Sequence, residues 1–257
     1  MLRWCHTSKP PKPVRRTLAA AGLVLMCLAG DALAQAQEDD PWQSMNRKTF
    51  AFNEWVDIHI LMPIAKGWDF IAPTPVQTGI ANVFETSNMS VVFLNDVLQL
   101  KPVEAGEDLA RFMVNATVGI GGIFDVATKV GIPRNEEDFG QTLGYWGVPP
   151  GPYLVLPIFG ASNPRDTVGL IADTASHPWT YFVDWYVSVP VSVFEFVNLR
   201  TIFLEDIDEL RATALDFYVF QRNAYIQTRY LQVNDLESLE PETEDDLYYF
   251  DEDEEEE

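Results

Sequence analysis

The chain reads as an all-α protein carrying one long irregular segment. Three features predict this. Apolar residues recur at three- and four-residue spacing through most of the body; prolines and glycines gather at the breaks between those runs; and over 131–163 the spacing vanishes while Gly, Pro and aromatic residues crowd together. A length of 257 residues and an apolar share of 47% allow one substantial domain with appendages.

The first 34 residues predict an export signal. Arg3, Lys9, Lys12, Arg15 and Arg16 make a basic start, 18–30 an apolar run, and Ala32-Leu33-Ala34 a small-x-small cleavage site. The apolar run is shorter than the ~20 residues of a bilayer span, which favours cleavage near Gln35 over a retained anchor. Arg15-Arg16, flanked by Val14 and Thr17, fits a twin-arginine signal poorly. Both cysteines, Cys5 and Cys27, fall in this segment, so the mature chain is expected to lack disulfides, zinc-thiolate sites and cysteine nucleophiles. Cys27 follows Val24-Leu25-Met26 rather than the small residue a lipidation site wants, and reads as an apolar residue before it reads as an acylated one.

After a polar leader over 35–40, Asn46, Phe50, Asn53 and Asp57 are spaced four, three, four, which sets two amides, a ring and a carboxylate on one helical face. Phe52, Val56 and Ile60 line the neighbouring face. Pro63 and Pro73-Thr74-Pro75 punctuate the chain. A helix is predicted over 76–85, a third over 89–100, and a fourth from Lys101-Pro102 through Leu109, Phe112, Met113 and Ala116. Gly119, Gly121 and Gly122 then permit a bend or the close approach of another backbone. The aromatic-rich 131–163 segment is expected to be an ordered, functional loop. Asn163-Pro164 predicts the cap of a helix containing Arg165, Asp166 and Asp173.

The stretch 179–203 is the most apolar of the mature chain. Asp184, Pro190, Glu195 and Arg200 interrupt it, leaving no 18-residue uncharged window for a transmembrane helix. Its aromatic bias suits the headgroup boundary of a bilayer, the alternative being an ordinary core. Ile207, Leu210, Ala214 and Leu215 predict a last amphipathic helix running toward Arg229. The remainder, 235–257, holds fourteen acidic residues and no Lys or Arg, within a formal charge of −22. Such a balance excludes nucleic acid as a partner and predicts a solvated, disordered tail. Tyr248, Tyr249 and Phe250 are its anchors if it docks on a basic partner.

Catalytic machinery is not legible. Beyond the signal only His59 and His177 remain, no HExxH or GxSxG occurs, and the glycines at 119–122 lack the Lys-Ser/Thr of a phosphate loop. Asp125 with Asp138 is a formal carboxylate pair that nothing in the sequence brings together, and Arg165-Asp166 reads as a cap or ion pair. No catalytic residue, metal ligand or cofactor is expected.

Four blocks carry a resemblance: Asp40-Pro-Trp-Gln-Ser-Met-Asn-Arg47; Phe50-Ala-Phe-Asn53; Arg111-Phe-Met-Val-Asn-Ala-Thr117 with Gly119, Gly122 and Asp125; and Asp138-Phe-Gly-Gln-Thr-Leu-Gly144 leading to Gly151-Pro-Tyr-Leu-Val-Leu-Pro157. Over about 40–229 the chain resembles the MlaA (VacJ) family, the outer-membrane component of a pathway that maintains lipid asymmetry. The resemblance implies a single ring-shaped helical domain over 35–234 with a central amphipathic pore. It would lie in the periplasm-facing inner leaflet of the outer membrane, with a porin trimer as partner. Members remove mislocalised phospholipids from the outer leaflet and pass them to a soluble periplasmic lipid carrier.

By position, the resemblance places Phe52, Asn53, Arg111, Asp125, Phe139, Tyr145 and Trp146 along the lipid path, with 131–147 a mobile hairpin gate hinged at Gly131 and Gly147. The chain departs from the family at Gln43, where an acidic residue is usual, at Ser162, which follows Ala161 rather than proline, in its signal, and in its acidic tail. Exposing two acyl chains to water costs on the order of 20 kcal/mol at ~0.8 kcal/mol per CH₂, so a transporter has to shield tails while leaving a polar route for the headgroup. Two other readings stay open: a membrane-associated lipid hydrolase, and a periplasmic envelope scaffold that moves no lipid.

Overall fold

A computed structural model describes residues 40–236. The signal predicted over 1–34 and the acidic tail beyond 236 lie outside the described residues. Among the described residues, those from Trp42 onward form one unit, all-α apart from a two-stranded hairpin.

Helix α1 (Gln43–Val56) passes through a π-turn at Asp57–Leu61 into α2 (Met62–Ile71). Pro63 thus falls within a continuous helical run rather than ending it. It lacks the amide that would serve the carbonyl four residues earlier, and the widened turn beside it takes up that break. Helix α3 (Thr74–Leu98) is unbroken where two helices were expected. The polar run at Thr86, Ser87 and Asn88 stays helical, with the Ser90 hydroxyl turned back onto the Ser87 carbonyl (3.0 Å).

A tight turn with Leu100 at φ 61° leads into α4 (Pro102–Thr117), and α3 and α4 pack together as a helical hairpin. Two spaced stripes meet there: Met89, Val92 and Asp96 on α3, continued by Gln99 at its C-cap, and Ala105, Asp108, Arg111 and Asn115 on α4, all buried. Gly122 follows α4 at φ +89°, and a Cβ there would lie 2.6 Å from the Thr86 hydroxyl oxygen, so this glycine supplies both the bend and the close approach.

Short helix α5 (Val126–Lys129) is capped by Asp125, which accepts from the Thr128 amide (3.1 Å). The expectation of an ordered loop without regular elements over 131–163 is corrected in two places. Helix α6 (Phe139–Tyr145) starts on Asp138, whose carboxylate accepts from the Gln141 amide (2.9 Å). Strands β1 (Leu154–Leu156) and β2 (Gly160–Ser162) then pair antiparallel with Val155 opposite Ala161. Both elements are too short for periodicity to reveal.

Helix α7 (Pro164–Ser176) begins at Asn163 as predicted, the side chain accepting from the Asp166 amide (2.8 Å), and ends at His177 before Pro178. Then come α8 (Trp179–Phe182) and α9 (Trp185–Ile202). The predicted final helix is two, α10 (Leu204–Thr213) and α11 (Phe217–Val233), with Asp216 capping the second through the Val219 amide (3.2 Å). Helix α9 packs on α2 and α3, α6 on α7, and α11 on α6 and β2. Among the described residues no single helix is long and apolar enough to cross a membrane.

Candidate functional site

The distribution of polarity is inverted. Among the described residues the largest fully buried side chains are Arg111, Tyr218, Gln99, Asn46, Asn95, Asn198, Asp96 and Asp108, of which only Tyr218 is aromatic. Large apolar side chains stand outside: Phe70 is 92% exposed, Phe182 86% and Trp185 77%, with Tyr181 and Tyr186 alongside. A monomer in water rarely exposes this much apolar surface without a partner phase.

Arg111, 1% exposed, is the hub of the polar interior around α4 and α5. Its guanidinium donates to the Ile132 carbonyl (2.7 Å), to the Thr128 hydroxyl (3.2 Å) and to both Asp125 oxygens (3.3 Å). Asn115 donates to Asp125 (3.1 Å) and accepts from the Val126 and Ala127 amides (2.9 Å each). Burial opposes ionisation of Asp125, but the Thr128 hydroxyl and amide, Asn115 and the Arg111 charge prevail and hold its carboxyl at about 2. Of the residues singled out from the sequence, Arg111 and Asp125 therefore meet directly.

Asn53 and Phe52 lie elsewhere, on α1. The Asn53 amide donates to the Leu156 carbonyl (2.9 Å) and accepts from the Ile158 amide (2.8 Å), while Asn46, two turns earlier, does the same for Tyr153 and Val155. Both side chains thus act as rungs on the backbone of the β1 arm and the turn after it. Phe50, between them, packs edge-on against Tyr218 (5.5 Å). Phe52 points outward, about half exposed.

Phe139 is fixed through its backbone, its amide donating to both Asp173 oxygens (3.1 Å each). Tyr145 and Trp146 pack edge-to-face (5.7 Å), and the Trp146 indole donates to the Leu98 carbonyl (3.1 Å). Gly131 and Gly147 both hold left-handed backbone, at φ +80° and +85°, with open space where a Cβ would project. Between these two glycines the chain is tied down by Arg134 to Glu85 (3.3 Å), Glu137 to Lys101 (2.9 Å) and Asp138 to Arg229 (2.6 Å).

Two further ion-pair networks were not legible beforehand. Asp57 receives Arg200 (2.8 Å) and Arg211 (2.7 Å); burial opposes its charge, but the two guanidinium groups win and hold it below the usual range. The four-three-four spacing puts Asp57 on the right helical face, but its partners lie 143 and 154 residues away, beyond what spacing reveals. Arg229 bridges Asp138 and Asp166 (2.6 Å each), and Tyr225 donates to Asp166 (2.5 Å). This second network floors a cleft of about 290 Å³ walled by Leu156, Phe159 and Leu170. Asp125 and Asp138 each pair with a different arginine, Arg111 and Arg229. A second cavity, of about 300 Å³, is bounded by Ser87, Ser90, Phe112, Pro178 and Phe182, combining hydroxyls with rings. No group of three or more His, Cys, Asp or Glu among the described residues is arranged to hold a metal ion.

The family model described as "MlaA lipoprotein" matches residues 38–232. The chain belongs to the MlaA family. It is 32% identical over 234 residues to the Haemophilus influenzae protein named "Intermembrane phospholipid transport system lipoprotein MlaA", covering 88% of this chain and 93% of that one. The Escherichia coli protein of the same name is 33% identical over 214 residues, covering 82% and 84%. A Rickettsia felis protein, named only "Uncharacterized protein", is 38% identical over 191 residues, covering 74% and 76%. A solved chain from "Structural basis for maintenance of bacterial outer membrane lipid asymmetry" superposes with a TM-score of 0.68 at 32% identity, covering 77% of this chain and all of that one. Family and fold therefore agree with the resemblance carried by the sequence blocks.

Proposed function

We propose that this chain removes mislocalised phospholipids from the outer leaflet of the outer membrane through an amphipathic passage in its helical body. It hands them to a soluble periplasmic lipid carrier and works beside a porin trimer. The observation that carries this reading is the inverted polarity: a buried skeleton of Asn, Gln, Asp and Arg inside an apolar, aromatic-rich exterior on α2, α8 and α9. Each large apolar side chain withdrawn from water contributes about 1.5–3 kcal/mol, so several together favour seating in a hydrocarbon monolayer. Relatives bearing the transport name support the same assignment.

In this reading the polar interior gives a headgroup a hydrogen-bonding route, and mixed walls such as Ser87 and Ser90 facing Phe112 and Phe182 shelter a tail. No bond is made or broken. The segment 131–147 is the gate, with Gly131 and Gly147 as its hinges, and Arg111, Asp125, Phe139, Tyr145 and Trp146 lie on or beneath it. Passage requires that the ties from Glu85, Lys101 and Arg229 be released in part.

Locking tests the gate. Glu85 and Arg134 meet through the ends of long side chains (3.3 Å), so the pair Glu85→Cys and Arg134→Cys can be bridged by a short bifunctional methanethiosulfonate reagent to fix the segment on α3. The locked protein is expected to fail in complementing a deletion strain, and reductant to restore it. Full activity while locked excludes the gate. Release of fatty acid or lysolipid from vesicles by the purified protein would point to the hydrolase reading.

A further inference from the structure

One feature of the α3–α4 hairpin is left unexplained by lipid passage. Asp96 on α3 is fully buried, and neither of its carboxyl oxygens has a donor; Asp108 on α4 is also buried, and its Oδ2 is equally unserved. Both lie on the faces that α3 and α4 bury against each other, and the neighbouring Asp108 carboxyl is one of the groups that raise Asp96. The cations whose charge reaches the pair make their bonds elsewhere. Lys101 donates to Glu137 (2.9 Å) and Asp235 (2.5 Å); Arg111 donates to Asp125 and the Ile132 carbonyl and faces Glu85 at 3.7 Å, its Nε left without an acceptor. Glu104 from α4 and Glu137 from the following segment add negative charge around the pair. Two buried carboxylates with three of their four oxygens unserved repel at close range in a medium of low polarity, whereas one shared proton turns that repulsion into an O–H···O bond.

The gate segment is fastened to the same spot. Asn135 donates to Asp108 Oδ1 over a long 3.4 Å, and two residues on, Glu137 is gripped by Gln99 (2.7 Å) and Lys101 from the turn between the helices. We propose that the Asp96–Asp108 pair holds a single proton and works as a proton-dependent clasp that closes α3 onto α4 and seats residues 132–138, which loosen when the proton leaves.

Burial, the bond to Asp108 and its negative charge push Asp96 up to about 9, and burial raises Asp108 as well. Between the ordinary carboxyl range and about 9 the clasped state binds a proton that the open state lacks. The seated form is therefore favoured at low and neutral pH and loses about tenfold in population ratio for each unit of rising pH across that window, until the proton leaves the clasped state too. The clasp is separate from lipid movement: a chain inactive in transport would still show it.

The test uses the full chain in detergent. Infrared spectra at pH 7 should contain the carbonyl band of a protonated carboxyl that Asp96→Asn removes. Hydrogen exchange of 132–138, corrected for the intrinsic pH dependence, should lose about tenfold or more in protection between pH 7 and 10. Asp96→Asn, which offers Asp108 an uncharged donor at every pH, should hold that protection, with α11 amides as the reference. Should Asp96→Asn fail to fold, Asp108→Asn gives the same reading. A missing band at pH 7, the same pH profile in both chains, or an equal loss in α11 overturns the clasp.

Discussion

Replacing Arg111 with Met separates charge from bulk at the centre of the polar interior. The unbranched methionine fills the space of the arginine stem, so little packing is lost, and the deficit comes from the guanidinium. Two losses follow from the geometry. The Ile132 carbonyl gives up a charged donor at 2.7 Å, worth about 1.5–3 kcal/mol. Asp125, a quarter exposed, loses its counter-charge but keeps Thr128 and Asn115, which limits that loss to about 1 kcal/mol.

Arg111→Met should therefore destabilise the chain by about 2.5–4 kcal/mol, at the lower end of what removing one partner of a buried pair costs. Urea unfolding in detergent, followed by tryptophan fluorescence, measures this. Combining the change with Asp125→Asn should reveal a coupling of about 1 kcal/mol in a double-mutant cycle. A loss below 1 kcal/mol with no coupling would refute the view that Arg111 organises this region.

Three other outcomes are expected. Gly122→Ala should cost about 1–3 kcal/mol, because φ is +89° and the new methyl would press on Thr86, whereas Gly67→Ala, in open space on α2, should stabilise by about 0.4–1 kcal/mol; thermal melts of the two variants compare them directly. Asp125, held at about 2 against an ordinary value of 3.8, contributes stability that is present above pH 4 and lost as pH falls toward 2. Partial exposure leaves about 1–2 kcal/mol, and Asp125→Asn should flatten that limb of an acid titration followed by circular dichroism. Phe182→Glu with Trp185→Glu should weaken association with phospholipid vesicles at least tenfold in flotation while preserving helicity, since both side chains stand outside the fold.

Much of the fold is visible in the sequence, because helix signals are local. Asn163-Pro164 and Lys101-Pro102 mark real helix starts, and the 46–57 spacing puts Asn46, Phe50, Asn53 and Asp57 on the face that meets the hairpin, the aromatic cluster and the arginines. Short elements escaped: α6 spans two turns and the hairpin strands three residues each, too little for a period to show. The site was partly legible. Arg111 and Asp125, 14 residues apart, prove to be partners, but the pairings of Asp57 with Arg200 and of Asp138 with Arg229 depend on tertiary closure over 143 and 91 residues. Asp96 and Asp108 each fall in a three- and four-residue stripe of buried positions; a carboxylate on such a stripe is the signal, masked because acids ordinarily face solvent.

The central claim concerns phospholipid at the cell surface, and the most direct measurement is its accessibility in the outer leaflet of cells lacking this chain. Labelling of surface aminophospholipid by a membrane-impermeant amine reagent should rise on deletion. It should return to the parental level with the unmodified chain, and stay high with a chain whose 131–147 segment is locked. Equal labelling with and without the chain would contradict lipid transport and leave an envelope scaffold as the better description.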